Sequence, residues 1–203
     1  MNEELVDHLK GRGMDPSLYN ISYDIENYCV TFPLYSGDRR WVGYQVYRPN
    51  ISYKKTNDPH NARYFTYLPN GIDGVFGLEC LNDDKYIFVV EGVFKASKLH
   101  KLGYNAIAVL SNNPKRLKSW FRILKATRTL IAIGDNDDAG QKLVNFVKKG
   151  FKSPIDLDEM DNYSIVSMIE EYKGLLAQSG EHRTVHAEVT GSKPVQVANL
   201  LGE

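Results

Sequence analysis

The sequence is short of cysteine: Cys29 and Cys80 are its only two in 203 residues, far apart and outside any CxxC spacing. That excludes a disulfide framework and a cysteine-based zinc site, and both thiols read as small buried hydrophobes. It lacks a P-loop, which excludes a helicase motor within this sequence. No window approaches the run of about 18 apolar residues that a membrane span needs, and MNEELVDHLKGRG has neither the apolar stretch nor the cleavage site of a signal peptide. A soluble protein without a membrane partner, located in the cytoplasm (the host's, if the gene is viral), is the expectation. An excess of either charge is missing too, since 25 Lys+Arg meet 25 Asp+Glu. Taken as an average, that argues against a nucleic-acid binder. The average hides segregation: between Gly92 and Gly134 there is no acidic residue, and every charge from Lys95 to Arg128 is a cation.

What is present is a 42% hydrophobic content, enough for a core, in two grammars. Glu3 to Arg12 predicts a short helix closed by Gly13, with a turn at Asp15-Pro16. Tyr28 to about Phe76 is aromatic and β-branched, broken at Ser36-Gly37-Asp38, Arg48-Pro49-Asn50 and Pro69-Asn70-Gly71, which predicts short antiparallel strands. After Asp84, strands alternate with helices. Tyr86–Val90, Ala106–Leu110 and Thr129–Ile133 are apolar runs of strand length. Val93–Leu102, a segment opened by Asn113-Pro114 that carries Leu117, Phe121 and Leu124, and Asp138–Lys149 closed by Gly150 have helical spacing. This order predicts an α/β fold: an α+β N-terminal part (1–82), then a parallel sheet flanked by helices (83–172) with right-handed crossovers. Residues 173–203 lose periodicity and are expected to be disordered.

In a parallel sheet, ligands sit outside the carboxyl ends of the strands. Glu91 directly follows the first strand of this part, and Asp135 and Asp137 follow the third. Residues two apart in an extended segment point the same way, so Asp135 and Asp137 present two carboxylates to one point. Three converging carboxylates repel unless a cation lies between them, and Mg2+ (or Mn2+) suits such a site because it takes few carboxylates and accepts phosphate oxygens. Each piece alone has a plainer reading, Glu91 as a helix-entry charge and the Asp-x-Asp as a turn. An EF-hand is excluded, because Ala139 stands where a fifth ligand belongs and Phe146 where the closing acid belongs. Cations and rings also interleave from Arg39 to Tyr67, the composition of a single-strand groove. A sheet whose tyrosines fill the core would have the same composition.

YIFVVEG followed by IAIGDNDDAGQK, within Tyr86–Lys142, resembles the TOPRIM domain of primases, topoisomerases and related nucleases. Upstream, LKGRGMDPSLYN, VTFPLYSGDRRWVGYQVY, ARYF and GVFGL are similar in order to the N-terminal part of the RNA-polymerase domain of bacterial and phage primases. The resemblance thus runs over roughly residues 3 to 165. It implies a DNA primase core that joins ribonucleoside triphosphates on a single-stranded DNA template, with a TOPRIM nuclease or a catalytically weak TOPRIM module as alternatives. It further implies that Glu91, Asp135 and Asp137 are catalytic and metal-binding, that Asp156 and Asp158 form the later Asp-x-Asp metal element, and that Arg48, Lys54, Arg63 and Tyr64 meet nucleic acid. Lys95 departs from the pattern, standing where primases commonly have an aspartate; it would lower metal affinity or hold a phosphate. Ser111-Asn112-Asn113 replaces the usual glycine loop. Either a zinc module and a replicative helicase act in trans or the protein is a reduced remnant. The tail also resembles the conceptual translation of a transfer-RNA gene, LAQSGEH fitting the D-arm and GSKP the TψC loop. The expectation is a reading frame that enters an adjacent transfer-RNA gene, as in a phage genome. A nucleotide sequence there that cannot form a cloverleaf would exclude it.

Overall fold

The computed structural model describes residues 3–52, 58, 61–110 and 114–189, with side chains described as far as 178. It has two compact units, Met1–Met160 and Asp161–Glu203. Among the described residues no helix is long and apolar enough to cross a membrane.

The first unit opens with α1 (Glu3–Gly11), which has acids in its first turn and basic residues in its last, as the helix dipole favours. Leu5 and Leu9, one turn apart on one face, are fully buried. Asp15 then caps a single 3-10 turn at Pro16–Leu18 by accepting the Ser17 N–H at 3.0 Å. Strands β1 (Ser22–Asp24), β2 (Cys29–Tyr35), β3 (Trp41–Tyr47) and β4 (Tyr64–Tyr67) form an antiparallel sheet in that order. Alternate residues Val30, Phe32 and Leu34 of β2 are fully buried on one face. Cys29 is buried as expected, while Cys80 is half-buried; neither forms a disulfide.

The second sheet is parallel, in the order β6 (Ala106–Ala108), β5 (Tyr86–Val90), β7 (Thr129–Gly134), β8 (Gly150–Lys152). Its central strands are apolar along their length because helices α2 (Val93–Lys101), α3 (Lys118–Leu124) and α4 (Asp138–Val147) leave little of them in water. Antiparallel bridges Tyr35–Val75 and Phe76–Ala108 tie the sheets together. Residue 82 therefore marks a change of topology inside one unit. Strand β8 escapes sequence reading because it is three residues long. Gly150 does not stop the helix: α4 already ends at Lys148, which adopts a left-handed φ of 70°. Gly150 lies against β7, where a Cβ would stand 2.9 Å from the carbonyl carbon of Ala132. A 3-10 turn at Lys115–Leu117 precedes α3; the expected cap Asn113 lies outside the described residues.

In the second unit, Asp161 accepts the Ser164 N–H at 2.9 Å and begins α5 (Asn162–Val189). The helix runs on through 173–189, where disorder was expected. Leu, Ala, Gln, Glu and Arg carry it, with no proline between Pro154 and Pro194. Backbone hydrogen bonding continues there without the apolar periodicity on which the expectation rested. Residues 190–203, including the GSKP segment, lie outside the described residues.

A buried polar chain stiffens the first unit. His100 Nε2 donates to the Ala106 carbonyl at 2.8 Å, since a carbonyl can only accept, and Nδ1 accepts the Tyr19 hydroxyl at 2.7 Å. Burial lowers the His100 pKa, against the pull of the Ala106 bond. The unfolded chain takes up this proton near pH 6.5 while the folded chain resists. Stability is therefore full above that pH and declines as pH falls toward the lower folded value. Denaturant melts at about pH 7.5 and about pH 5 measure the effect. His100→Gln is expected to narrow the difference, and an unchanged difference would contradict this assignment.

Candidate active site

The parallel register sets Val89 opposite Ala132, so Glu91 comes level with Gly134 and Asp135 stands one residue further out. Glu91 and Asp135 line the same cleft, near enough for the charge of Asp135 to act on Glu91. The Glu91 carbonyl accepts the Leu110 N–H at 3.0 Å. Leu110 itself holds a left-handed φ of 56°, a strained turn for a branched side chain at the site's rim. Gly140 lets the Asp135 loop close down on α4: a Cβ there would stand 2.8 Å from the Asp135 carbonyl carbon and nearer still to its oxygen and nitrogen. Gly134 faces the same contact from the other side.

These acids line a cleft of about 670 Å³ whose opposite wall comes from α1 and the antiparallel sheet. Of the residues predicted from sequence, Glu91, Lys95, Asp135, Asp156, Asp158, Arg63 and Tyr64 all line it. Asp137 does not. It occupies the N-cap of α4, where its Oδ1 accepts the Gly140 N–H at 2.7 Å. Arg48 is also outside the lining, its guanidinium donating to the Ala62 carbonyl at 3.1 Å. Lys54 and Ser111-Asn112-Asn113 lie outside the described residues.

Lys95 projects from the first turn of α2 onto the acids. Its ammonium pairs with Asp135 and reaches Asp156 Oδ1 at 3.4 Å, and its side chain is only 11% exposed. Burial works against its charge, but Asp135 and then Asp156 more than restore it, so it titrates above the ordinary lysine range. Lys98, one turn further on and buried, donates to the Asp158 carbonyl at 3.2 Å and to that of Met160, anchoring the turn that carries both later acids. Lys95, Lys98, Lys125 and Arg128 of the acid-free span thus hold internal partners, whereas Lys115, Arg116 and Lys118 are exposed on the helix face.

Across the cleft, Arg12 pairs with Asp158 and donates to the hydroxyls of Tyr64 at 3.1 Å and Tyr47 at 3.3 Å. Its guanidinium carbon lies 3.9 Å from the Phe94 ring centroid. His8 Nε2 is 2.9 Å from the Tyr47 hydroxyl. Burial, with Arg12 and Arg63 nearby, lowers the His8 pKa. The tyrosines divide between two faces. Tyr47 stacks on its cross-strand partner Tyr64 on the cleft side, while Tyr44 stacks on Tyr67. Tyr44 and Tyr47 are three apart on one strand, so they point to opposite faces. The interleaved cations and rings therefore do not form one groove. Tyr47 belonged to the interleaved rings read from sequence, whereas Arg12 and His8 were not singled out, although LKGRGMDP carries Arg12.

Glu91 is the one acid here with an orphaned oxygen. Its Oε1 is buried and accepts no hydrogen bond among the described residues. Burial foremost, then the charge of Asp135, raises the Glu91 pKa; Lys95 pulls it down. An orphaned buried carboxylate oxygen fits a divalent cation, so the donor set suits Mg2+ or Mn2+ at Glu91. As arranged, no three His, Cys, Asp or Glu among the described residues stand close enough to chelate an ion together, and Lys95 is paired with two of the acids, Asp135 and Asp156.

The antiparallel sheet joined to a parallel one matches the fold of solved primase catalytic cores. A DnaG catalytic core matches with a TM-score of 0.61 and 16% identity over 81% of this chain and 71% of that one. A DnaG primase catalytic domain bound to single-stranded DNA gives 0.58 and 15% over 83% and 73%. The Aquifex aeolicus primase, with zinc-binding and RNA polymerase domains, gives 0.55 and 18% over 78% of this chain and 52% of that one. The chain thus spans about half the length of the Aquifex structure. No protein-family model and no curated protein matches the sequence.

Proposed function

We propose that this chain is the catalytic core of a DNA primase, a nucleotidyltransferase that joins ribonucleoside triphosphates into RNA primers on single-stranded DNA during replication. The observation that carries this reading is the single cleft in which the carboxylates of Glu91 and Asp135 face Arg12, Arg63 and the Tyr47–Tyr64 stack. The rings offer flat surfaces to bases, and Arg63 offers charge to a phosphate backbone. Lys95 would hold a phosphate oxygen of the incoming triphosphate while keeping Asp135 oriented. Glu91 and Asp135, with Asp156 and Asp158 beside them, would hold Mg2+ or Mn2+, and Asp137 would join them only through its second oxygen, its Oδ1 being committed to the Gly140 N–H. When bound, the metal would polarise the reacting phosphate and favour ionisation of the primer 3′ hydroxyl. A zinc module and a replicative helicase would act in trans, and a phage source fits the transfer-RNA-like tail.

Incubation with labelled ribonucleotides and single-stranded DNA tests the reading: template-dependent RNA products are expected. Shortened DNA would indicate a TOPRIM nuclease instead. One observation favours a third reading, a module that binds single-stranded DNA or a helicase without chemistry: Asp135 is already paired with Lys95. Retained binding with neither product would establish that reading.

A further inference from the structure

The acidic edge contains a cation of its own. Lys95 pairs with Asp135 from the loop after β7 and reaches Asp156 from the turn after β8, joining two segments 21 residues apart. The lysine side chain is 11% exposed and lies on α2, whose own position is fixed by buried Val93, Phe94, Ala96 and Leu99. An ammonium so placed has little freedom to leave, and its withdrawal would strand Asp135 beside Glu91 without a counter-charge. Arg12 does the same on the opposite side of the cleft for Asp158. Among the described cleft acids, Glu91 and Glu159 have no ion pair, and of these two Glu159 is exposed while Glu91 keeps a buried, unsatisfied oxygen.

We propose that Lys95 is the resident cation of this edge: it keeps Asp135 and Asp156 assembled without divalent metal, so that a metal ion meets Glu91 as the open ligand and binds weakly. This rests on reading the edge as a cation site, the reading behind the proposed function. The consequence is a division of labour. The cleft is preformed and can take up nucleic acid in the absence of Mg2+, and metal is required for chemistry alone. A carboxylate at position 95 would reverse this order, since four clustered acids repel until an ion enters.

The test uses the full chain, with thermal melts in EDTA and in Mg2+, and direct Mn2+ binding read by electron paramagnetic resonance. The wild type is expected to melt at nearly the same temperature in EDTA and in millimolar Mg2+. Lys95→Asp is expected to melt several degrees lower in EDTA, to recover in Mg2+, and to bind Mn2+ about tenfold or more tightly than the wild type. Lys95→Met, which keeps the apolar stem without the charge, should fall between them. If Lys95→Asp does not fold in either buffer, Lys95→Met and the wild-type metal response still decide the matter. A wild type stabilised by Mg2+ as strongly as the variants, or Mn2+ affinity indifferent to residue 95, would overturn the proposal. None of these measurements depends on primer synthesis. A chain that makes no primers yet melts as described would sink the primase reading and leave the role of Lys95 standing.

Discussion

Gly140→Ala is expected to abolish detectable turnover and to cost about 3 kcal/mol of stability, the upper end of ordinary overpacking penalties. Helix α4 begins at Asp138, and at Gly140 it touches the backbone of Asp135 so closely that a methyl group would overlap the peptide. The obstruction is backbone on both sides, so no side chain can rotate away. Either the α4 N-terminus lifts or the Asp135 loop moves outward, and each displaces Asp135 relative to Glu91. A shift of about 1 Å in a reacting group can cost about a hundredfold in rate. Denaturant unfolding and primer synthesis on the same preparation check this. A variant with wild-type midpoint and turnover would show that the close approach does not hold the site together.

Arg12→Ala is the second large effect, expected at about 3–5 kcal/mol, the range for removing one partner of a largely buried ion pair. The side chains of Arg12 and Asp158 are 26% and 13% exposed, so the carboxylate left behind would be poorly hydrated. The same substitution removes two tyrosine hydrogen bonds and the contact with the Phe94 ring. Arg12→Lys should recover little of the loss, because an ammonium cannot bond Asp158, Tyr47 and Tyr64 with a planar fork. Single-stranded DNA binding should fall with it, since the Tyr47–Tyr64 stack loses its anchor. Equilibrium unfolding and fluorescence anisotropy measure the two consequences. Full rescue by lysine would mean that charge alone matters at position 12.

Much of this site was legible before any coordinates. Apolar runs of strand length separated by helical spacing marked β5, α2, β6, β7 and α4, and the rule that ligands gather beyond strand ends singled out Glu91 and Asp135. That signal is local, carried by a few consecutive residues. What escaped depends on contacts distant in sequence. Nothing near Arg12 announces Asp158, which lies 146 residues away. The departure at Lys95 could be seen, but that its partners are Asp135 and Asp156 could not. Asp137 was read by its two-residue offset from Asp135, and the start of α4 instead uses one of its oxygens as a cap. The composition of the tyrosines fitted a groove and a core equally, and strand pairing distributes them over two faces. Strand β8 was too short to alternate, and α5 continues where apolar periodicity had already ended.

The most direct measurement of the central claim is primer synthesis by the wild type and by Asp135→Asn combined with Asp137→Ser. Serine at 137 preserves an N-cap oxygen for α4, and asparagine at 135 preserves shape while Lys95 keeps Asp156 as a charged partner; a denaturant melt of the same preparation verifies that the double variant is folded when assayed. The account predicts template-dependent RNA from the wild type and at least about a hundredfold less from the double variant. Equal synthesis by the two proteins would contradict it.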